Sequence, residues 1–163
     1  MPSCWNGRSN AYAGVFRVTG GRCVLHPCPA SCLRCTPRRW LRSSRAHMAA
    51  AAARLADGTV VTGWNTENAA YPMCVCAEPA TLAAAASQRP GMPVVAMAIT
   101  VKSGGQPLDQ PASPCGSCRQ QLHEHETRFG QKIRLILRGE TGPIFVFASA
   151  GDLLPFGFSG DLL

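Results

Sequence analysis

Two short fragments of this 163-residue chain carry the residue types that do chemistry: Cys76-Ala77-Glu78 and Pro114-Cys115-Gly116-Ser117-Cys118. Each falls at the predicted start of a helix. There the helix dipole and free N–H groups favour thiolate over thiol, as a metal ligand requires. Three thiolates, from Cys76, Cys115 and Cys118, make an open zinc site whose fourth tetrahedral position is left to water. Zinc lowers the pKa of such a water and generates hydroxide near neutral pH. Glu78 stands two residues after a ligand, placed to border the metal without binding it. A carboxylate there takes the proton from the water and returns it to a substrate. A closed structural site would need a fourth ligand, which these fragments do not offer.

The other cysteines read differently. Cys74 is expected to be a small buried hydrophobe rather than a ligand. Cys23, His26, Cys28, Cys32 and Cys35 invite a second metal site, but the spacing C-x4-C-x3-C-x2-C matches no zinc-finger pattern. One zinc per chain is therefore expected. Nine cysteines could suggest a secreted disulfide framework. The Cys115-x-x-Cys118 spacing points instead to metal or redox chemistry in an intracellular chain, hence a cytoplasmic protein with reduced thiols.

Several elements must position the two fragments. Arg54 to Thr62, with Asp57-Gly58 between apolar flanks, reads as a β-hairpin. Residues 63–74 read as a loop rich in turn formers, followed by a helix from about Cys76 to Ser87 with Pro79 in its first turn. Val94 to Val101 is a strand too apolar to be exposed on either face, so it is expected at the centre of a sheet. A polar loop, 103–114, leads to a helix from about Gly116 to Thr127. On that helix His123 and His125 lie among glutamates and are expected on a solvated surface. Ile133–Leu137 and Ile144–Ala148 read as strands, and Ser149 to Leu154 as a final turn. The order β-β-α-β-α-β-β suggests a sheet covered by helices.

Charge divides the chain. Residues 1–48 carry eight arginines and no acid, whereas residues 49–163 are close to neutral although the whole chain has a net charge of +7. The front, rich in Gly, Pro, Arg and Cys without period, reads as irregular. The body, read as one catalytic domain over 49–163, lacks a field for holding phosphate backbones, so no nucleic-acid partner is expected. No apolar run is long enough for a membrane span, and no membrane partner is expected.

Cys-x-Glu followed by Pro-Cys-x-x-Cys, with Cys115 lying 37 positions after Glu78, resembles the zinc nucleoside and nucleobase deaminases. Gly63-Trp64-Asn65-Thr66-Glu67-Asn68-Ala69-Ala70-Tyr71 and Leu153-Leu154-Pro155-Phe156-Gly157-Phe158 narrow the resemblance to the small cytidine deaminases, over roughly residues 54–158. The resemblance implies an α/β three-layer sandwich with a central mixed sheet and helices on both faces. It places Asn65 and Glu67 on the sugar hydroxyls, and counts Ala77 and Phe158 among the substrate-binding residues. Phe158 stands where the family's C-terminal aromatic reaches a neighbouring subunit's pocket, in a homotetramer. It also sets Arg119 near the zinc thiolates. The implied reaction is hydrolytic deamination of cytidine and deoxycytidine, with Glu78 protonating N3 and then the departing amine.

Two departures stand out. Relatives carry an initial helix and a Phe-x-Val-Gly strand, but here the Phe position falls on His47, and residues 49–53 are five alanines, which are poor strand formers. Residues 1–48 therefore read as foreign to the family. Pro79 stands where many relatives have an arginine. Rival readings are a deaminase of a cytosine nucleoside antibiotic such as blasticidin S, and a catalytically dead zinc-binding homologue.

Overall fold

A computed structural model describes residues 16–19, 22–25 and 48–160. By internal contacts the chain divides into two units, Met1–Arg42 and Ser43–Leu163. In the first, β1 (Phe16–Thr19) pairs antiparallel with β2 (Arg22–Leu25), so the segment read as irregular contains a hairpin. His47, and the residues that complete the suggested metal cluster of the front segment, lie outside the described residues.

The second unit is built on a five-stranded sheet in the order β4-β3-β5-β6-β7. Its strands are β3 (Met48–Leu55), β4 (Val60–Trp64), β5 (Val94–Lys102), β6 (Arg134–Arg138) and β7 (Ile144–Phe147). β5 and β6 are parallel and the other pairings antiparallel, so the sheet is mixed, as expected. A parallel pair needs a crossover, which α2 (Gly116–Phe129) supplies. The other helix, α1 (Ala77–Gln88), follows β4. Among the described residues, no helix is long and apolar enough to cross a membrane.

β5 lies in the middle of the sheet, where its apolar sequence requires it to be. The alanine run is the surprise. Ala49–Ala53 belong to β3, and Ala50–Ala53 pair with both β4 and β5, against their weak strand propensity. Neighbouring ladders satisfy the backbone on both sides, and small side chains permit close cover, so context overrides propensity. Ala51 and Ala53 face the same way as Met97, Ile99, Leu135 and Leu137, and all join one core with Ala77 and Ala85 of α1 and Leu122 of α2. Both α1 and α2 thus pack into one core against the sheet. α1 comes close to β4 at Gly63, where a Cβ would sit 2.5 Å from Thr81 Oγ1 and 2.7 Å from its backbone nitrogen.

His125 and Glu126 are not solvated. His125 is half-buried, stacks on Phe129 and accepts a hydrogen bond at Nε2 from the Val94 N–H (3.1 Å). Only the neutral ring can accept it. Burial, then the Arg128 charge, holds His125 below its ordinary value of 6.5. Glu126 is buried and accepts from Ile133 N–H (2.6 Å), Ser149 Oγ (2.8 Å), Ala150 N–H (2.9 Å) and Gly151 N–H (3.1 Å). Burial opposes its ionisation, but these donors outweigh burial and hold it below the usual carboxylate value of 4.5.

Both depressed values act in the same direction. Between the folded and ordinary pKa the unfolded chain binds more protons, so stability rises with pH there and is lost as the pH is lowered. It is expected to be complete above about pH 7, to decline below about pH 6.5 as His125 is charged, and to drop again below about pH 4.5 as Glu126 is protonated. Urea midpoints measured from about pH 8 to pH 4 test this. His125→Gln should remove the first decline, and a midpoint unchanged down to about pH 5 would contradict the assignment.

Candidate metal centre and active site

Cys76 and Cys115 are the N-cap residues of α1 and α2, and Cys118 lies in the first turn of α2. Both caps have extended backbones, which turn the chain sharply into each helix and direct both N-termini at one point. Cys76 Sγ lies 3.9 Å from Cys115 Sγ, Cys115 Sγ lies 3.3 Å from Cys118 Sγ, and all three sulfurs lie within 4.8 Å of one another. Cys118 is buried, whereas Cys76 and Cys115 face solvent.

The thiols have unequal environments. Burial, then the Glu78 charge, pushes Cys118 well above the ordinary thiol range. Burial, together with negative charge on Cys115 and Glu78, also raises Cys76. For Cys115 burial works upward too, but the approach of the Cys118 and Ser117 N–H groups prevails and lowers it. Three thiols gathered so closely ionise together only around a cation. Three sulfur donors at this separation, one side of the cluster open to solvent, fit a zinc dication with a free fourth position.

Glu78 is 5% exposed, in the first turn of α1, close enough to act on both Cys76 and Cys118. The helix N-terminus supports its negative charge. Ala77 directs its methyl into the core, so only its backbone N–H, one of the unpaired donors of the first helical turn, can meet a ligand.

Asn65 and Glu67 reach the same place through a small ladder. Thr66 and Val75 form an isolated antiparallel bridge (2.8 and 3.1 Å), which sets Asn65 opposite Cys76 and Glu67 opposite Cys74. Asn65 Oδ1 accepts from the Ala49 N–H (2.8 Å), and its Nδ2 donates to Glu67 Oε1 (2.8 Å). Cys74 is not the inert hydrophobe expected. Its sulfur accepts from the Asn68 N–H (3.2 Å) and lies 3.8 Å from Glu67 Oε2, outside the metal-ligand cluster.

The second fragment is held from below. Glu140 Oε1 accepts from the Ser103 N–H (2.7 Å), and Leu108 O accepts from the Glu140 and Thr141 N–H groups, so the loop 103–114 is tied to the β6–β7 turn. Arg119 does not pair with a thiolate. Its guanidinium donates to Pro114 O (2.8 Å), Leu153 O (3.1 Å) and Ser113 Oγ (3.0 Å), bracing the turn that enters Cys115. With Pro79 also uncharged, the helix N-termini are what favour negative charge here. Gly63, Thr81 and Glu140 support this arrangement, and sequence reasoning did not single them out. Gly63 lies inside a quoted motif, which was the available signal.

A mixed sheet whose two helix N-termini converge three thiols and a buried carboxylate defines a metal-dependent hydrolase of the zinc deaminase class. The description "cytidine and deoxycytidylate deaminase zinc-binding region" matches residues 30–129. A cytidine deaminase of Mycobacterium tuberculosis is 37% identical over 111 residues, 68% of this chain and 72% of that protein. One from Halalkalibacterium halodurans is 39% identical over 74 residues, 45% of this chain and 52% of that protein. The crystal structure of a Burkholderia pseudomallei cytidine deaminase superposes with a TM-score of 0.59 at 34% identity, covering 69% of this chain and 82% of the other. The chain belongs to the cytidine and deoxycytidylate deaminase family.

Proposed function

We propose that the chain hydrolytically deaminates cytidine and deoxycytidine, giving uridine or deoxyuridine and ammonia. The observation that carries this reading is the three-sulfur cluster within 4.8 Å, with buried Glu78 beside it. One zinc ion per chain, held by Cys76, Cys115 and Cys118, would supply the acidified water that attacks C4. Glu78 takes a proton from that water and delivers it to N3 as the new C4–O bond forms. It then passes the second proton to the exocyclic nitrogen, the C4–N bond breaks, and ammonia leaves. Burial suits the carboxylate to both transfers, since bulk water does not compete for its proton.

Glu67 presents its carboxylate to ribose hydroxyls, and Asn65 holds it there from an anchor on the β3 backbone. The Ala77 N–H meets the base, and Phe158 closes over the nucleoside. Residues 49–163 form the deaminase domain. The same reading includes a homotetramer in which Phe158 serves a neighbouring subunit's pocket, a cytoplasmic location, and a place in nucleoside salvage, with nucleosides rather than nucleic acid or membrane as partners. Family membership supports it.

Cytidine and deoxycytidine should be turned over, with blasticidin S far behind. Free cytosine should lose roughly 100-fold or more in kcat/KM, because the ribose contacts supply orientation. Glu67→Ala should narrow that difference. An absorbance assay with the four substrates tests both, and cytosine equal to cytidine in the parent enzyme would remove Asn65 and Glu67 from the sugar.

A further inference from the structure

Immediately after the last proposed ligand, α2 presents Arg119 and Gln120. Gln120 Nε2 donates to the Phe158 carbonyl oxygen (2.6 Å), and Gln120 Oε1 accepts from the Phe158 N–H (3.3 Å). A side-chain amide carries the same donor and acceptor as a peptide group, so the pair forms a two-point clamp resembling one rung of a β-ladder.

The rest of the C-terminal segment lies along the same side of the helix. Glu126 accepts from Ser149 Oγ and Gly151 N–H, and Arg119 donates to Leu153 O. His123 packs against Gly157, where a Cβ would sit 2.7 Å from the ring. Residues 119, 120, 123 and 126 are spaced as one helix face. The segment therefore runs from Glu126 back towards the first turn and reaches Gln120, two residues beyond Cys118. Between these anchors, Gly157 N–H bonds to Leu154 O (3.2 Å) across a turn with Pro155 second and Phe156 third, the latter at φ 62°. Glycine normally occupies that third position. The turn turns its aromatic rings outward: Phe156 is fully exposed and Phe158 is 56% exposed. A ring held outward by clamps on its own backbone is positioned rather than packed.

We propose that Gln120 is a positioning residue for the aromatic tail. It fixes the Phe158 backbone to the ligand-bearing turn of α2, and so sets nucleoside affinity while leaving the chemical step to Glu78. This rests on the reading that Phe158 meets the nucleoside, in a neighbouring subunit's pocket under the proposed assembly.

Steady-state kinetics with cytidine on the full chain test it, using Gln120→Ala, Gln120→Glu, Phe158→Ala and the Gln120→Ala/Phe158→Ala double variant, with zinc content and Tm measured on each. Gln120→Ala should raise KM about tenfold with kcat changed by less than about twofold, and zinc unchanged. In the Phe158→Ala background it should add nothing, because the clamp acts only through that residue. Gln120→Glu keeps the acceptor for the Phe158 N–H and loses the donor to its carbonyl. The carboxylate also repels that carbonyl, so this variant should raise KM at least as far as Gln120→Ala, again with kcat and zinc little changed. This variant carries the test if Gln120→Ala does not fold. A raised KM in Phe158→Ala with normal KM in both Gln120 variants would overturn the clamp alone. Additive KM effects in the double variant would show that Gln120 acts elsewhere, and so overturn it too. A silent Phe158→Ala would overturn the substrate role of Phe158 and the clamp with it.

Discussion

Glu78→Gln is expected to lower kcat for cytidine by about 10³- to 10⁴-fold while leaving zinc content and fold unchanged. The substitution is nearly isosteric, and the first turn of α1 tolerates it, because Ala77 and Ala85 rather than Glu78 supply its apolar core contacts. Glutamine can still accept a hydrogen bond from water, but it cannot take the proton away. The step therefore fails in both directions: the attacking water is not deprotonated, and neither N3 nor the leaving amine receives a proton. KM should change much less than kcat, since the proposed sugar contacts of Asn65 and Glu67 are left intact. Steady-state rates, zinc analysis and circular dichroism on one preparation check all three expectations. A variant within about tenfold of the parent would remove Glu78 from proton transfer.

Cys118→Ala should abolish both bound zinc and activity. Cys118 is the buried member of the cluster, in the first turn of α2, and lies 3.3 Å from Cys115. Removing it leaves two exposed thiols, which cannot hold a divalent ion against solvent at ordinary concentrations. Cys76→Ala and Cys115→Ala should behave alike, whereas Cys74→Ala should retain zinc because its sulfur lies outside the cluster. Elemental analysis of purified protein should give about one zinc per parent chain and less than about a tenth of that in the three ligand variants. Two zincs per parent chain would instead revive a site among Cys23, His26, Cys28, Cys32 and Cys35. Zinc retained by Cys118→Ala would move the ligand set elsewhere.

The Glu78, Cys118 and Gln120 experiments separate three tasks that this site combines. In the proposed mechanism the carboxylate moves protons, the thiols hold the ion, and the amide positions a tail that bears no chemistry. Their expected signatures differ in kind: loss of kcat alone, loss of metal, and loss of affinity alone.

Much of the site was readable one residue at a time. A cysteine two residues before a glutamate, and a proline-led pair of cysteines with two residues between them, pointed to the three sulfurs that the fold gathers and to the buried carboxylate beside them. Helix starts at both fragments followed from local patterning, and the unbroken apolar run from Val94 placed β5 at the sheet centre. These are short-range properties: ligand chemistry, capping and periodicity depend on residues within a turn or two.

What depends on neighbours distant in sequence had to come from the fold. Cys76 and Cys115 are 39 positions apart and meet only because α1 and α2 pack into one core against the sheet. The alanines of β3 form a strand because two ladders flank them, which no local propensity encodes. His125 and Glu126 resemble surface residues until the Val94 N–H and the Ser149–Gly151 segment arrive to bury and bond them. Arg119 resembled a charge partner for the thiolates until the Leu153 carbonyl came within reach. Side-chain type is written in the chain, but burial and partnership are properties of what packs against it, and only tertiary structure decides those.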